Sequence, residues 1–221
     1  MFTKFFHNKL VYSRRMTRLA ELISNILNGG GYNNILDVGC GDGRIDSYLM
    51  RDNKEIKISG IDVLVRPDTF IKVTEYDGHH IPMEDNSVDA VMVIDVLHHV
   101  DDPKELMKEM TRVASQSVII KDHIKTGLVS YLKLRLMDYV GNAHHHVRLP
   151  YNYLTKKQWD ELFKENGLEV QEYLSDLHLY TGLFHLLFDR NLHFIVKLKK
   201  RSSPRGELEN KYYERKQNAS C

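Results

Sequence analysis

The segment Ile35-Leu36-Asp37-Val38-Gly39-Cys40-Gly41-Asp42-Gly43 constrains the fold of this chain more than any other. Asn34 to Val38 is a short apolar strand, and Gly43 to Met50 has helical spacing through Ile45, Tyr48 and Leu49. A glycine turn between a strand and a helix is the context of a nucleotide-binding loop. Gly39 and Gly41 let the backbone turn tightly and approach a ligand where a Cβ would clash. The loop also discriminates between nucleotides. A dinucleotide loop reads G-x-G-x-x-G and seats a pyrophosphate on the helix N-terminus, but here Arg44 occupies the third glycine position. Asp37 and Asp42 flank the turn, and their charges repel a pyrophosphate while suiting a cationic ligand without phosphate.

The same alternation of strand and helix continues along the chain. Ile56 to Val63 and Phe70 to Tyr76 read as strands, and Ala90 to Val96 is apolar enough for a central parallel strand buried on both faces. Asp102-Pro103 with Glu105 is a helix start that presents Leu106, Met110 and Val113 to a core. Ser117 to Lys121 is a fifth strand, and Thr155 with Gln158 forms a capping box for a helix burying Trp159, Leu162 and Phe163. Strands at about Leu168 to Tyr173 and His193 to Leu198 follow. Ahead of all this, Lys9 to Leu27 is an amphipathic helix, with Phe2, Phe5 and Phe6 before it as a surface-seeking, lid or capping segment. The pattern predicts one α/β domain over residues 1–200. Within it, 1–33 form a helical lid and 124–154 an insertion, and a basic disordered tail occupies 201–221.

Composition removes several function classes. The 31 Lys and Arg against 30 Asp and Glu leave no basic excess of the kind a dedicated nucleic-acid binder carries. Basic residues do collect at the ends: Met1 to Ala20 holds five and no acid, which allows weak contact with an anionic surface. Cys40 and Cys221 are too few and too oddly placed for a disulfide framework. No apolar run approaches the ~20 residues needed to span a bilayer, and no signal-peptide core is visible, so a cytoplasmic protein is expected.

The loop resembles the first motif of class I S-adenosylmethionine-dependent methyltransferases of the small-molecule type. The likeness extends through Gly60-Ile61-Asp62, the stretch Asp77 to Asp89, and Val96-Leu97-His98-His99-Val100, covering about residues 34 to 123. It implies a Rossmann-like, mostly parallel seven-stranded sheet with helices on both faces and an antiparallel last strand. S-adenosylmethionine is then the expected cofactor, held by Asp37, Gly39, Cys40, Gly41, Asp62, Val63, Asp77, Gly78, Ile94 and Asp95. In this assignment Asp62, at a strand end, accepts from the ribose hydroxyls. Asp77 accepts from the adenine amino group and Gly78 offers its amide; a turn-forming Asp-Gly is the plainer alternative for that pair.

The acceptor is expected to be a small molecule, aromatic or lipid-like. His98 and His123 follow strands whose ends should face the ligand crevice, and either could serve as a general base. In the insertion, which in this fold roofs the acceptor, stand Met137-Asp138-Tyr139-Val140-Gly141-Asn142, His144-His145-His146, Tyr151 and Tyr153. From these, His99, Asn142, His144 and Tyr151 are assigned to the acceptor pocket. Consecutive histidines point in different directions, and no cysteine or carboxylate cluster lies beside them in sequence, so no metal is expected. Rival readings are an RNA or protein methyltransferase, a non-catalytic partner that keeps the donor fold, and an NAD-dependent oxidoreductase. The first is weakened by Ile94-Asp95-Val96-Leu97 where base-amine enzymes carry Asn/Asp-Pro-Pro-aromatic.

Overall fold

A computed structural model describes the backbone of residues 2–142 and 150–201, and the side chains of 13–140 and 150–201. In chain order the elements are α1 (Phe2–Asn28), β1 (Asn34–Val38), α2 (Arg44–Asp52), β2 (Lys57–Asp62), β3 (Val73–Glu75) and β4 (Val88–Ile94). A 3-10 turn at Leu97–His99 leads to α3 (Pro103–Val113) and β5 (Ala114–His123). Then come α4 (Leu128–Asn142), α5 (Lys156–Glu165), β6 (Leu168–Ser175), α6 (Gly182–Phe188) and β7 (His193–Lys200).

The strands form one seven-stranded sheet in the order β3-β2-β1-β4-β5-β7-β6. Its first five strands are parallel, and β7 runs antiparallel between β5 and β6. Successive residues of β4 serve opposite layers, as the period of two in a strand demands. Val91 and Val93 pack with Leu106, Met110, Trp159 and Phe163 from α3 and α5. Ala90 and Met92 pack with Leu19, Ile23, Ile26 and Leu49 from α1 and α2. Two apolar layers thus clamp a central strand, and the C-terminal ends of β1, β2, β4 and β5 open along one edge. Because β7 is antiparallel, its first residue, His193, arrives at that same edge opposite His123.

The helix caps follow the sequence. Asp102 accepts from the Lys104 amide at 2.8 Å, and Thr155 and Gln158 form the reciprocal capping box. Four expectations need correction. Helix α1 begins at Phe2, so the three phenylalanines belong to it rather than preceding it. The third strand shrinks to Val73–Glu75 because the residues before it are drawn to the glycine loop: the Phe70 amide donates to the Asp42 carbonyl at 2.8 Å, and the Phe70 ring lies under Arg44. The fifth strand is ten residues long, reaching His123. Helices α4 and α6 had no counterpart in the sequence reading, since α4 is apolar on every side and α6 has seven residues. The tail beyond residue 201 and the segment 143–149 lie outside the described residues.

Trp159 is 2 % exposed, and its indole Nε1 donates to the His123 carbonyl at 3.0 Å. In urea denaturation, Trp159→Ala should lose about 3–5 kcal/mol of stability, and Thr155→Ala about 1 kcal/mol through its cap. Equal losses would contradict this division between core and cap.

Candidate active site

The glycine loop grows out of β1 by two backbone contacts. Gly39 donates to the Ile61 carbonyl at 2.7 Å, and Gly41 donates to Asp62 Oδ2 at 2.8 Å. Asp62 also accepts from Leu64 at its other oxygen, so its carboxylate ties the loop to the end of β2. Gly39 has φ +73, and a Cβ there would fall 2.5 Å from Val96 Cγ2. Only glycine fits this position on both counts. Arg66 lies over Gly41 and also approaches Asp42, while Val63 is exposed beside the loop.

Beneath the loop two carboxyl groups are buried, Asp37 from β1 and Asp46 from α2. Asp37 Oδ1 and both Asp46 oxygens lack an outside hydrogen-bond partner. Burial pushes Asp37 well up, and burial pushes Asp46 up to about 7, so near neutrality the pair holds a proton between them. Cys40, packed above, has its thiol pushed up by burial and then by these acids, and it stays an uncharged wall of the loop. Such a cradle, glycine-lined and backed by carboxyl groups, fits a cationic nucleoside.

On the adenine side of the expected site, Asp77 Oδ1 accepts from the His79 and His80 amides at 2.8 and 2.7 Å. That is the turn role, and these bonds hold its carboxyl below the usual range. Gly78, at φ +83, and His99 both line one cavity of about 140 Å³ with Val100, Asp102 and Leu106.

The exit of β4 carries the densest charge. Ile94 is half-buried, and Asp95 follows it at φ +55 with its amide bonded to the Lys121 carbonyl. The Asp95 carboxylate meets Lys121 Nζ on one oxygen and Arg15 Nη2 of α1, at 2.6 Å, on the other. Burial alone would raise its pKa, but Lys121 and Arg15 outweigh burial and hold it well below the carboxylate range. Lys121 also faces His193 Nδ1 at 3.4 Å, while His193 Nε2 donates to the Phe188 carbonyl at 2.8 Å. Burial and the Lys121 charge keep His193 neutral.

His98 stands at the centre of the next layer, 2 % exposed. Its Nδ1 donates to Asp122 Oδ1 at 2.6 Å, and its Nε2 lies 3.3 Å from Asp138 Oδ2, an ion-pair contact rather than an aligned hydrogen bond. Burial opposes charge there, yet the two carboxylates push His98 up to about 10. As a cation with both nitrogens protonated, it has no lone pair with which to accept a proton. His123 shares Asp122 through its amide at 2.7 Å, and burial followed by Lys121 keeps its ring neutral. His99, lowered to about 4 by burial and by the neighbouring His98 charge, is neutral too. Tyr153 donates to Asp138, and Tyr151 lies at φ +56 beneath the Arg135 guanidinium.

The fold therefore brings His98, His99, His123 and Asp95 to one edge, with Tyr153 and Asp138 from the insertion beside them. The Asn142 side chain and His144 fall outside the described residues. Sequence reading did not single out Arg15, Asp46, Lys121, Asp122 or His193. One signal was present: Lys121-Asp122-His123 continues an otherwise apolar strand, and charges inside a buried strand require partners.

The Asp37–Asp46 pair makes stability depend on pH. An unfolded aspartate ionises near pH 3.9, whereas folded Asp46 does so near 7. Between these values the folded state binds the extra proton, so stability conferred at low pH is lost as pH rises toward 7. Thermal melts of Asp46→Asn from pH 5 to 8 should lack this decline and gain most over the parent at pH 8. Parallel curves for the two proteins would refute the buried shared proton.

Residues 36–120 match the family model described as a methyltransferase domain. Among solved structures, the chain is similar to an S-adenosylmethionine-dependent methyltransferase from Aquifex aeolicus, with 18% identity over 80% of this chain and 88% of that one, at a TM-score of 0.53. An S-adenosylmethionine-dependent methyltransferase from Methanosarcina mazei gives 18% identity over 80% and 98% of the two chains, with a TM-score of 0.58. The mitomycin 7-O-methyltransferase gives 14% identity over 84% and 54%, with a TM-score of 0.60. Residues 36–120 are thus a methyltransferase domain by the family match, and the glycine loop on its strand–turn–helix and the sheet order give the chain the fold of the S-adenosylmethionine-dependent methyltransferases it is similar to.

Proposed function

We propose that the chain transfers a methyl group from S-adenosylmethionine to a small lipid-like acceptor encountered at a membrane surface. The observation that carries this reading is the apolar face of the two unanticipated helices. Leu128, Val129, Leu132, Leu136, Tyr139 and Val140 of α4 are all more than half exposed, and Leu183, Phe184 and Leu186 of α6 add to them. Scattered exposed leucines are ordinary, but a continuous group on neighbouring helices marks a contact surface. Arg135 beside it, and the exposed Arg14 of α1, supply positive charge for an anionic lipid surface. No described helix is long and apolar enough to cross a membrane, so the contact would lie in the interface.

In this reading the donor lies across the glycine loop. It supplies an already activated methyl on a sulfonium centre, and the chain must align the acceptor and exclude water. Asp62 holds the ribose, with Val63 beside it. Gly78 and the second oxygen of Asp77 face the adenine, and Gly39, Cys40, Gly41 and Asp37 form the floor. Ile94 and Asp95 stand at the methionine end, where Arg15 and Lys121 fix the Asp95 carboxylate. The first half of α1, ending at Arg15, is then the lid, because its second half is core. Among the histidines, His123 is the better base, being neutral, while His98 serves as a fixed positive charge. His99 and Tyr151 line the acceptor side, with Asn142 and His144 assigned to the same roof.

With isotopically labelled donor, methyl transfer should appear on an amphiphilic phenol or amine embedded in anionic vesicles and be weak on water-soluble analogues. Asp62→Ala should lower donor affinity more than tenfold by calorimetry. The double change Leu132→Glu with Leu183→Glu should abolish vesicle flotation while leaving donor binding intact. Equal flotation of that variant, or efficient labelling of RNA or protein instead, would remove the lipid reading.

A further inference from the structure

The expectation that no metal binds rested on residues adjacent in sequence, but the fold assembles a cluster from distant ones. One ring nitrogen of His98, one of His99 and a carboxylate oxygen of Asp138 all lie within 4.8 Å of one another. We propose that these three residues form a binding site for a divalent first-row transition ion of the zinc or iron(II) class, at the junction of the sheet edge and the α4 roof.

Four observations support the site. His99 Nδ1 is a buried nitrogen without a hydrogen-bond partner, and His98 Nε2, on a side chain 2 % exposed, has no aligned hydrogen bond, only the ion-pair contact with Asp138. The 3.3 Å from His98 Nε2 to Asp138 Oδ2 equals the edge of a tetrahedron of ligand atoms; bonds of about 2.0–2.1 Å give an edge of about 3.3 Å. Two of the three ligands, His98 and Asp138, also have the supporting partners that metal sites use. Behind His98, Asp122 accepts from Nδ1 at 2.6 Å and is itself fixed by the His123 amide, which sets the tautomer that leaves Nε2 to a metal. Behind Asp138, the Tyr153 hydroxyl orients the carboxylate. Finally, the ligand set of two imidazoles and one carboxylate suits zinc or iron(II) better than magnesium or calcium.

The charge of the cluster agrees with this assignment. With no ion bound, the second proton on His98 supplies the positive charge that Asp122 and Asp138 require. An ion at Nε2 would replace that proton, and His99, neutral and only partly enclosed, would complete the triad. Three protein ligands leave a coordination position toward the cavity that His99 lines, where a water or an acceptor oxygen can bind and become more acidic. The site itself does not rest on the proposed acceptor class.

The test uses the full chain, purified without a polyhistidine tag and stripped with chelator, then titrated with zinc against a chromophoric competitor and with cobalt(II) for its visible spectrum. One equivalent of zinc should bind, and cobalt(II) should give the intense bands of a four- or five-coordinate site. His99→Ala and Asp138→Asn should remove both signals. Tyr153→Phe, a milder change that preserves packing, should weaken zinc binding about 10–100-fold. His185→Ala, in the exposed Asp176–His178–His185 group, should leave it unchanged. Absence of stoichiometric binding would overturn the proposal. So would binding that survives His99→Ala and Tyr153→Phe, since the metal would then sit on other histidines, those at 144–146 included. Should Asp138→Asn fail to fold, these two variants still decide the matter. Donor calorimetry on the stripped protein separates this result from the methyltransferase reading.

Discussion

Asp95 at the exit of β4 is the point on which several elements converge. The strand leaves the sheet in a left-handed conformation there, which aims the carboxylate between a lysine from β5 and an arginine from α1. A buried lysine without this partner would carry a large desolvation cost. Removing Asp95 would therefore leave Lys121 uncompensated and release Arg15 from the sheet edge. Through Lys121 the same network reaches His193 of β7, so two ion pairs on one carboxylate link the N-terminal helix, two parallel strands and the antiparallel strand. The apolar layers fix where the strands lie; this charge cluster fixes what the open edge presents.

That edge divides into two chemically different sides. Around the glycine loop the groups are acidic, with Asp37, Asp42, Asp46 and Asp62 close together, and the loop backbone is held to β2 by Asp62. On the other side of Asp95 the groups are histidines interleaved with Asp122 and Asp138. The first set suits a cationic ligand by charge. The second set has Tyr153 stacked on His98, with Tyr151 next to Tyr153. The division of labour arises because neighbouring strands end at the same edge but carry different residues.

The glycine loop between β1 and α2 was legible in the sequence because its signal is local. A strand, two glycines and a helix lie within fewer than twenty residues, and Asp62 follows at a strand end. The sheet was legible for the same reason, since each strand carries its own apolar run. The charge cluster was not legible, because Arg15, Asp95, Lys121 and His193 are brought together only when β4, β5 and β7 pair. Helix α4 escaped because leucines on every face leave no apolar periodicity to read as a helix. Its apolarity on two sides makes sense because Leu134 packs with Tyr153 and Leu192 while Leu128, Leu132 and Leu136 stay exposed. The third strand was over-read because Phe70 and Ile71 are as apolar as a strand requires, yet they pack on Arg44 and Gly43 instead.

The central claim is that donor and acceptor meet across the exit of β4, with the donor on the acidic side. A crystal structure of the protein with S-adenosylhomocysteine tests it most directly. The account predicts ribose hydroxyls on Asp62, the adenine beside Gly78, and the thioether sulfur pointing past Asp95 toward His99 and the insertion. A ligand bound elsewhere, or one whose sulfur faces away from the histidine cluster, would contradict it.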